Sequence, residues 1–200
     1  SEGTLISVDI SPNGKTIAFD LLGHIYLMPS SGGTAEAITK GTSWNMLPRF
    51  SPDGEKILFT SDRSGSDDLW VQNIKTGNMK NVSKMDIPVH QGTWSTDGKH
   101  VFGTALNMKV RHPVYRFNMY GKKQEIIPAG SRSPVNHFAM HPTNNLIYFS
   151  HGDGPLYRSG DRIKTYNIQN GEIKTYVDRA GGAANPVSYT HLRAHETSQH

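Results

Sequence analysis

Phe50-Ser51-Pro52-Asp53-Gly54-Glu55-Lys56-Ile57-Leu58-Phe59-Thr60 is the stretch that decides the fold. Ser51-Pro52-Asp53-Gly54 is turn chemistry: proline presets φ, aspartate can bond its own backbone, and glycine accepts positive φ. Met46 to Phe50 leads into the turn, and the β-rich run Lys56 to Thr60 leaves it, so the two should pair antiparallel. Working outward, Ser61-Asp62-Arg63-Ser64-Gly65-Ser66 is a polar loop and Leu69 to Ile74 is a third strand. Lys75-Thr76-Gly77-Asn78 is a second turn, and Met79 to Ser83 is an outer strand.

The same order recurs. Ser11-Pro12-Asn13-Gly14 precedes Lys15 to Phe19, and Ser95-Thr96-Asp97-Gly98 precedes Lys99 to Thr104. A weaker copy, His141-Pro142-Thr143-Asn144, precedes Asn145 to Ser150. The copies begin 40, 44 and 46 residues apart. A period of about 40–45 residues with four strands per repeat marks the blades of a β-propeller. No stretch shows a helical period. The expected fold is all-β: an antiparallel β-propeller fragment of about four four-stranded blades from a larger ring. The blades are placed at about 4–42, 43–86, 87–130 and 131–178, with a fifth starting near 181, so that 1–185 forms one partial propeller.

Composition agrees with that class. Apolar residues make up 35% and charged residues 19%, with 20 glycines and 11 prolines, as a turn-rich β fold requires. The net charge of +4 comes from scattered Lys and Arg, with no run of five or more, so nucleic acid is not an expected partner. The absence of cysteine excludes disulfides, thiolate metal sites and a cysteine nucleophile. No apolar run is long enough for a membrane span. The chain starts at Ser1 without Met and without a visible signal peptide, which is a reason to expect a fragment.

The C-terminus presents His191 and His195 four residues apart, with Glu196 and His200 beyond, a spacing that zinc sites on a helix use. A frayed terminus does not supply the supported shell of three or four ligands that zinc needs. Val187-Ser188-Tyr189-Thr190-His191-Leu192-Arg193-Ala194-His195-Glu196-Thr197 instead resembles a translated sequencing adapter. Residues 186–200 are therefore expected to be a non-native tail, with the natural sequence stopping near Asn185. No metal ligand is assigned there.

Phe50 to Gly54, Phe59 to Gly65 and Asp68-Leu69-Trp70-Val71 resemble TolB-like, WD-repeat-like propeller blades. Val8 to Tyr26, including Asp20-Leu21-Leu22-Gly23-His24-Ile25-Tyr26, resembles more narrowly the N-terminal propeller of bacterial amidohydrolase-family proteins. That resemblance implies a substrate-gating or binding module whose metal-dependent hydrolase barrel lies elsewhere, with any zinc-like metal in that barrel. The amidohydrolase ligands begin with a His-x-His pair, which this sequence lacks, so no catalytic, cofactor or metal residue is carried over. Two alternatives stand beside it: a TolB-like protein-binding propeller of the cell envelope, and the propeller of a serine peptidase. Each implies a protein or peptide-like ligand, or the parent's own catalytic domain, as partner, and export to the periplasm or envelope of a bacterium.

Ser11, Pro12, Asn13, Gly14, Ser51, Pro52, Asp53, Gly54, Ser95, Asp97, Gly98, His141 and Pro142 are assigned structural roles in the repeat turns. Candidate contact loops hold Trp44, at the start of blade two, and Asp62 and Arg63, which either pair locally or meet solvent. His151 and Asp153 fall in a His-Gly-Asp-Gly turn that could form an anion nest. Trp70 and Trp94 sit where a propeller needs bulky core fillers. No Gly-x-Ser-x-Gly nucleophile elbow is present. The 200 residues are accordingly expected to hydrolyse nothing, with or without added divalent metal, and to associate through open sheet edges. Metal-dependent turnover in a hydrolase assay, or a monodisperse monomer by light scattering, would contradict these two expectations.

Overall fold

Apolar residues at successive positions of the inner strands, as in Ile57-Leu58-Phe59 and Val101-Phe102, produce sheets buried on both faces. The computed structural model describes residues 7–106, 113–127, 135–141, 143–152 and 161–177. Its strands form four antiparallel sheets of four, each in sequential order. The first sheet holds β1 (Val8–Ile10), β2 (Thr16–Leu21), β3 (His24–Pro29) and β4 (Glu36–Ala37). The second holds β5 (Asn45–Phe50), β6 (Lys56–Ser61), β7 (Asp68–Asn73) and β8 (Met79–Asn81). The third holds β9 (Val89–Trp94), β10 (His100–Ala105), β11 (Val114–Asn118) and β12 (Lys123–Ile127). The fourth holds β13 (Val135–Met140), β14 (Leu146–Gly152), β15 (Asp161–Asn167) and β16 (Ile173–Val177). This is the all-β propeller fragment that the repeats predict. Pro142, Asp153 and the residues from 178 onward, including the adapter-like tail, lie outside the described residues.

First strands of successive blades adjoin, β1 with β5, β5 with β9 and β9 with β13, so they line the axis. The core lies between blades, because successive strand residues point to opposite faces of a sheet. Ile57 and Phe59 of blade two pack with Ala18 and Ile25 of blade one. From the other face of blade two, Leu58 and Leu69 pack with Val89, Val101 and Phe117 of blade three. Phe102 and Val114 continue the stack onto Ile147 and Phe149 of blade four. Each fully buried side chain of this size stabilises the fold by roughly 1.5–3 kcal/mol. Trp94 is a core residue as its blade position predicts, whereas Trp70, expected as a core filler too, is only partly buried against the first seam.

The turn motif has a repeated hydrogen-bond core. Ser51 Oγ donates to Asp53 Oδ1 at 2.5 Å and accepts from the Lys56 amide at 2.9 Å. Asp53 Oδ1 also accepts from the Glu55 amide at 3.0 Å. Ser11 with Asn13, and Ser95 with Asp97, repeat the arrangement at 2.8 and 2.6 Å. In the fourth copy, His141 Nδ1 accepts from the amides of Thr143 and Asn144, two and three residues on, whereas the side-chain oxygens of the second and third copies take the amides four and five residues after the serine. Gly54 and Gly98 have φ of 73° and 67°. A Cβ on Gly54 would lie 3.4 Å from Pro12, and one on Gly98 3.6 Å from Pro52, so each turn proline leans on the glycine of the next blade.

The free edges of the axial strands are closed by side chains from neighbouring blades, which removes exposed pairing groups. Asp9 accepts the Phe50 amide at 2.7 Å, and Asp20 accepts the Leu47 amide at 2.7 Å. The Trp94 indole donates to the Arg49 carbonyl at 3.1 Å. Burial raises Asp9 above its ordinary pKa, while the Phe50 amide and the Arg49 charge draw it back down.

Asp53 and Asp97 shift the other way. Partial burial would raise each, but hydroxyl and amide donors and neighbouring cations outweigh it and hold both below the ordinary carboxylate value. A depressed folded-state pKa contributes stability above the unfolded value, about 4, that is lost as pH falls through the folded value. Asp53→Asn with Asp97→Asn should therefore lower stability at pH 7 and flatten its decline below about pH 4. Urea denaturation from pH 7 to 2.5 checks this; an unchanged acid limb would exclude the turns as its source.

Candidate functional site

In an antiparallel four-stranded blade, the turns after the first and third strands lie at one end. The loop after the second strand and the connection to the next blade lie at the other. The Ser-Pro-Asp-Gly turns therefore occupy one face of the propeller, and the β2–β3 and β6–β7 loops share the opposite face with the connection into β5. On the turn face, a cleft of about 260 Å³ between blades one and two has Leu27, Phe50 and Ile74 as its apolar wall and Asn13 and Asp53 at its rim.

The loop face carries the more distinctive geometry. Trp44 is 50% exposed. Its amide donates to Asp62 Oδ1 at 2.8 Å, and the Asp62 amide donates back to the Trp44 carbonyl at 3.4 Å. Its ring lies on Gly23, where a Cβ would come within 3.0 Å of Trp44 Cε3. Gly23 and Leu22 form the two-residue turn between β2 and β3, with φ of 80° and 51°. Positive φ at both central positions defines the type I′ hairpin, which favours Asn-Gly. Here a leucine fills the first position and is 67% exposed.

Arg63 turns inward. Its guanidinium donates to Asn45 Oδ1 and Ser61 Oγ, at 2.5 and 3.0 Å. It lies 5.4 Å from the Phe59 ring centre and 5.0 Å from that of Trp70, a cation–π arrangement. Burial pulls its pKa down while the Asp62 charge pushes it back up. On the next seam, His90 Nε2 meets Asp67 Oδ2 at 2.5 Å, and the Val89 amide donates to the Asp67 carbonyl at 2.7 Å. Among the described residues, no three His, Asp or Glu side chains gather as a metal-ligand set.

The repeat architecture has counterparts among known proteins. The TolB beta propeller domain family (PD40) matches residues 1–191. The chain belongs to this family. It is 37% identical to the Tol-Pal system protein TolB of Bordetella pertussis over 57 residues, which are 28% of the chain and 13% of that protein. It is 30% identical to tricorn protease homolog 1 of Streptomyces coelicolor over 89 residues, 44% of the chain and 8% of that protein. The chain thus spans a small part of the curated relatives it matches. The crystal structure of TolB from Acinetobacter baumannii superposes with a TM-score of 0.72 at 23% identity, covering 90% of the chain and 45% of that structure.

On this TolB-type propeller, the sequence-derived candidates separate. Trp44 and Asp62 come together on the loop face, whereas Arg63 leaves Asp62 for the sheet behind it. His151 lies in β14, and Asp153 falls outside the described residues. Sequence reasoning missed Leu22 and the Asp67–His90 contact. A leucine followed by glycine between two short β-rich runs was the available signal for the first. Gly23→Ala should cost roughly 1–3 kcal/mol, since it strains a φ of 80° and drives a methyl into the Trp44 ring. Denaturation and acrylamide quenching check this together: stability should fall and Trp44 should become more accessible. An unshifted midpoint would mean that the ring does not rest on this glycine.

Proposed function

We propose that this propeller catalyses nothing itself and is a binding module that takes a protein or peptide segment on its loop face. The observation that carries the reading is Trp44: a half-exposed indole whose backbone is fixed on both sides by Asp62. Rigid, partly exposed aromatic side chains are the usual anchors of protein interfaces. Membership of the TolB propeller family supports the same reading. The parent is exported to the periplasm or cell envelope, in line with the similarity to Tol-Pal system proteins. Nucleic acid is not a partner, since the basic residues are scattered.

Two finer readings concern the longer protein. The resemblance of Val8 to Tyr26 supports a metal-dependent amidohydrolase parent, in which the propeller gates or orients substrate. The match to a tricorn protease homolog supports a peptidase parent, with the propeller handling peptide.

A displayed decapeptide library selected on the immobilised chain, with Trp44→Ala as counter-selection, tests the binding reading. Enriched peptides should bind the parent chain at micromolar affinity and the variant at least tenfold more weakly. No enrichment, or equal binding to both, would overturn the assignment of this face.

A further inference from the structure

We propose that Leu22, Trp44 and Asp62 form a docking point for a basic side chain, arginine or lysine, carried on an extended apolar segment of a partner protein. The inference rests on the loop-face reading above and names the chemistry that this face selects.

Leu22 gives the first reason. A large apolar side chain in the left-handed region is disfavoured, and asparagine or glycine would relieve it. The side chain is 67% exposed, so the fold gains little burial from it. A residue that is costly in backbone terms and little used by the core is explained by contact with something else. Trp44 gives the second. It meets the Leu22-Gly23 turn through Gly23, so the two exposed apolar side chains belong to neighbouring elements of one seam. No cation sits over the Trp44 ring among the described residues, while Arg63 and Lys80 do sit over other rings.

Asp62 supplies charge complementarity. Its carboxylate takes the Trp44 amide through Oδ1; the adjacent Arg63 feels its charge but donates its hydrogen bonds to Asn45 and Ser61, so no ion-pair contact closes over Asp62 among the described residues. An indole face beside an exposed carboxylate that no cation contacts directly among the described residues suits a cation on a flexible apolar stem. The stem would cover Leu22, and the cationic head would reach the indole and Asp62 Oδ2.

The probe is the hexapeptide acetyl-Gly-Leu-Arg-Leu-Arg-Gly-amide, compared with an analogue in which neutral citrulline replaces both arginines. Binding to the full chain is followed by calorimetry. The arginine peptide should bind at least about threefold tighter than the citrulline peptide, and the difference should shrink in 0.5 M salt. Asp62→Asn should erase most of that difference, and Trp44→Leu should weaken the arginine peptide about tenfold. Leu22→Asn separates function from folding. It should weaken peptide binding while raising Tm by about 2–4 °C, because asparagine suits the turn. Equal affinity for the two peptides, undiminished binding by Trp44→Leu, no binding at millimolar peptide, or a lowered Tm in Leu22→Asn would each overturn the proposal. If library peptides bind at Trp44 but carry no basic residue, this inference fails while the binding reading stands.

Discussion

No blade of this propeller has a core of its own. Each inner sheet buries one face against the blade before it and the other against the blade after it, and the rest of the structure follows from that constraint. Leu58 and Leu69 fix the second seam so closely that Cβ atoms on Gly92 and Gly103 of blade three would meet their methyl groups at 2.8 and 2.6 Å. The first blade carries the same residue pattern on its other face. Ile17, Phe19, Tyr26 and Met28 occupy the register positions that Ile57, Phe59, Trp70 and Gln72 hold in blade two. Ile57 and Phe59 are fully buried beneath blade one, whereas Ile17 and Phe19 are only partly buried. Phe19 and Tyr26 stack on each other at 5.4 Å across that face.

What the sequence reveals follows the range of each interaction. The turn motif closes within six residues: a hydroxyl, a carboxylate or amide oxygen and the amides they bind. Such local chemistry recurs as a readable word, and its spacing predicts the blades. The turn survives His141 because its imidazole nitrogen ties the chain by a different set of amides, those two and three residues on, where the other copies use oxygens on the amides four and five residues on. Trp44 and Asp62 were each visible as loop residues, but their mutual bonds span the whole β5–β6 hairpin. Neighbouring charges pointed to Asp62 and Arg63 either pairing locally or meeting solvent; the fold leaves Asp62 exposed and gives Arg63 partners in Asn45, Ser61 and two aromatic rings. The Asp67–His90 contact joins two blades and has no sequence signature at all.

Leu22 was hidden for a different reason. In Leu21-Leu22-Gly23, two adjacent leucines read as the continuation of a strand, the glycine is the one hint of a turn, and the backbone shows that the second leucine has left the strand. Comparison with Leu47 makes its position informative. Leu47 also has positive φ, 58°, but it lies where the pairing register of β5 shifts, and its amide is taken by the buried Asp20 of the neighbouring blade. The conformation of Leu47 therefore closes the edge of an axial strand and serves the fold. Leu22 makes a hairpin turn that asparagine would make more easily, and it holds an apolar side chain in water on the turn whose glycine meets Trp44. The two leucines have nearly the same φ. The one without a structural return is the one to read as part of an interface.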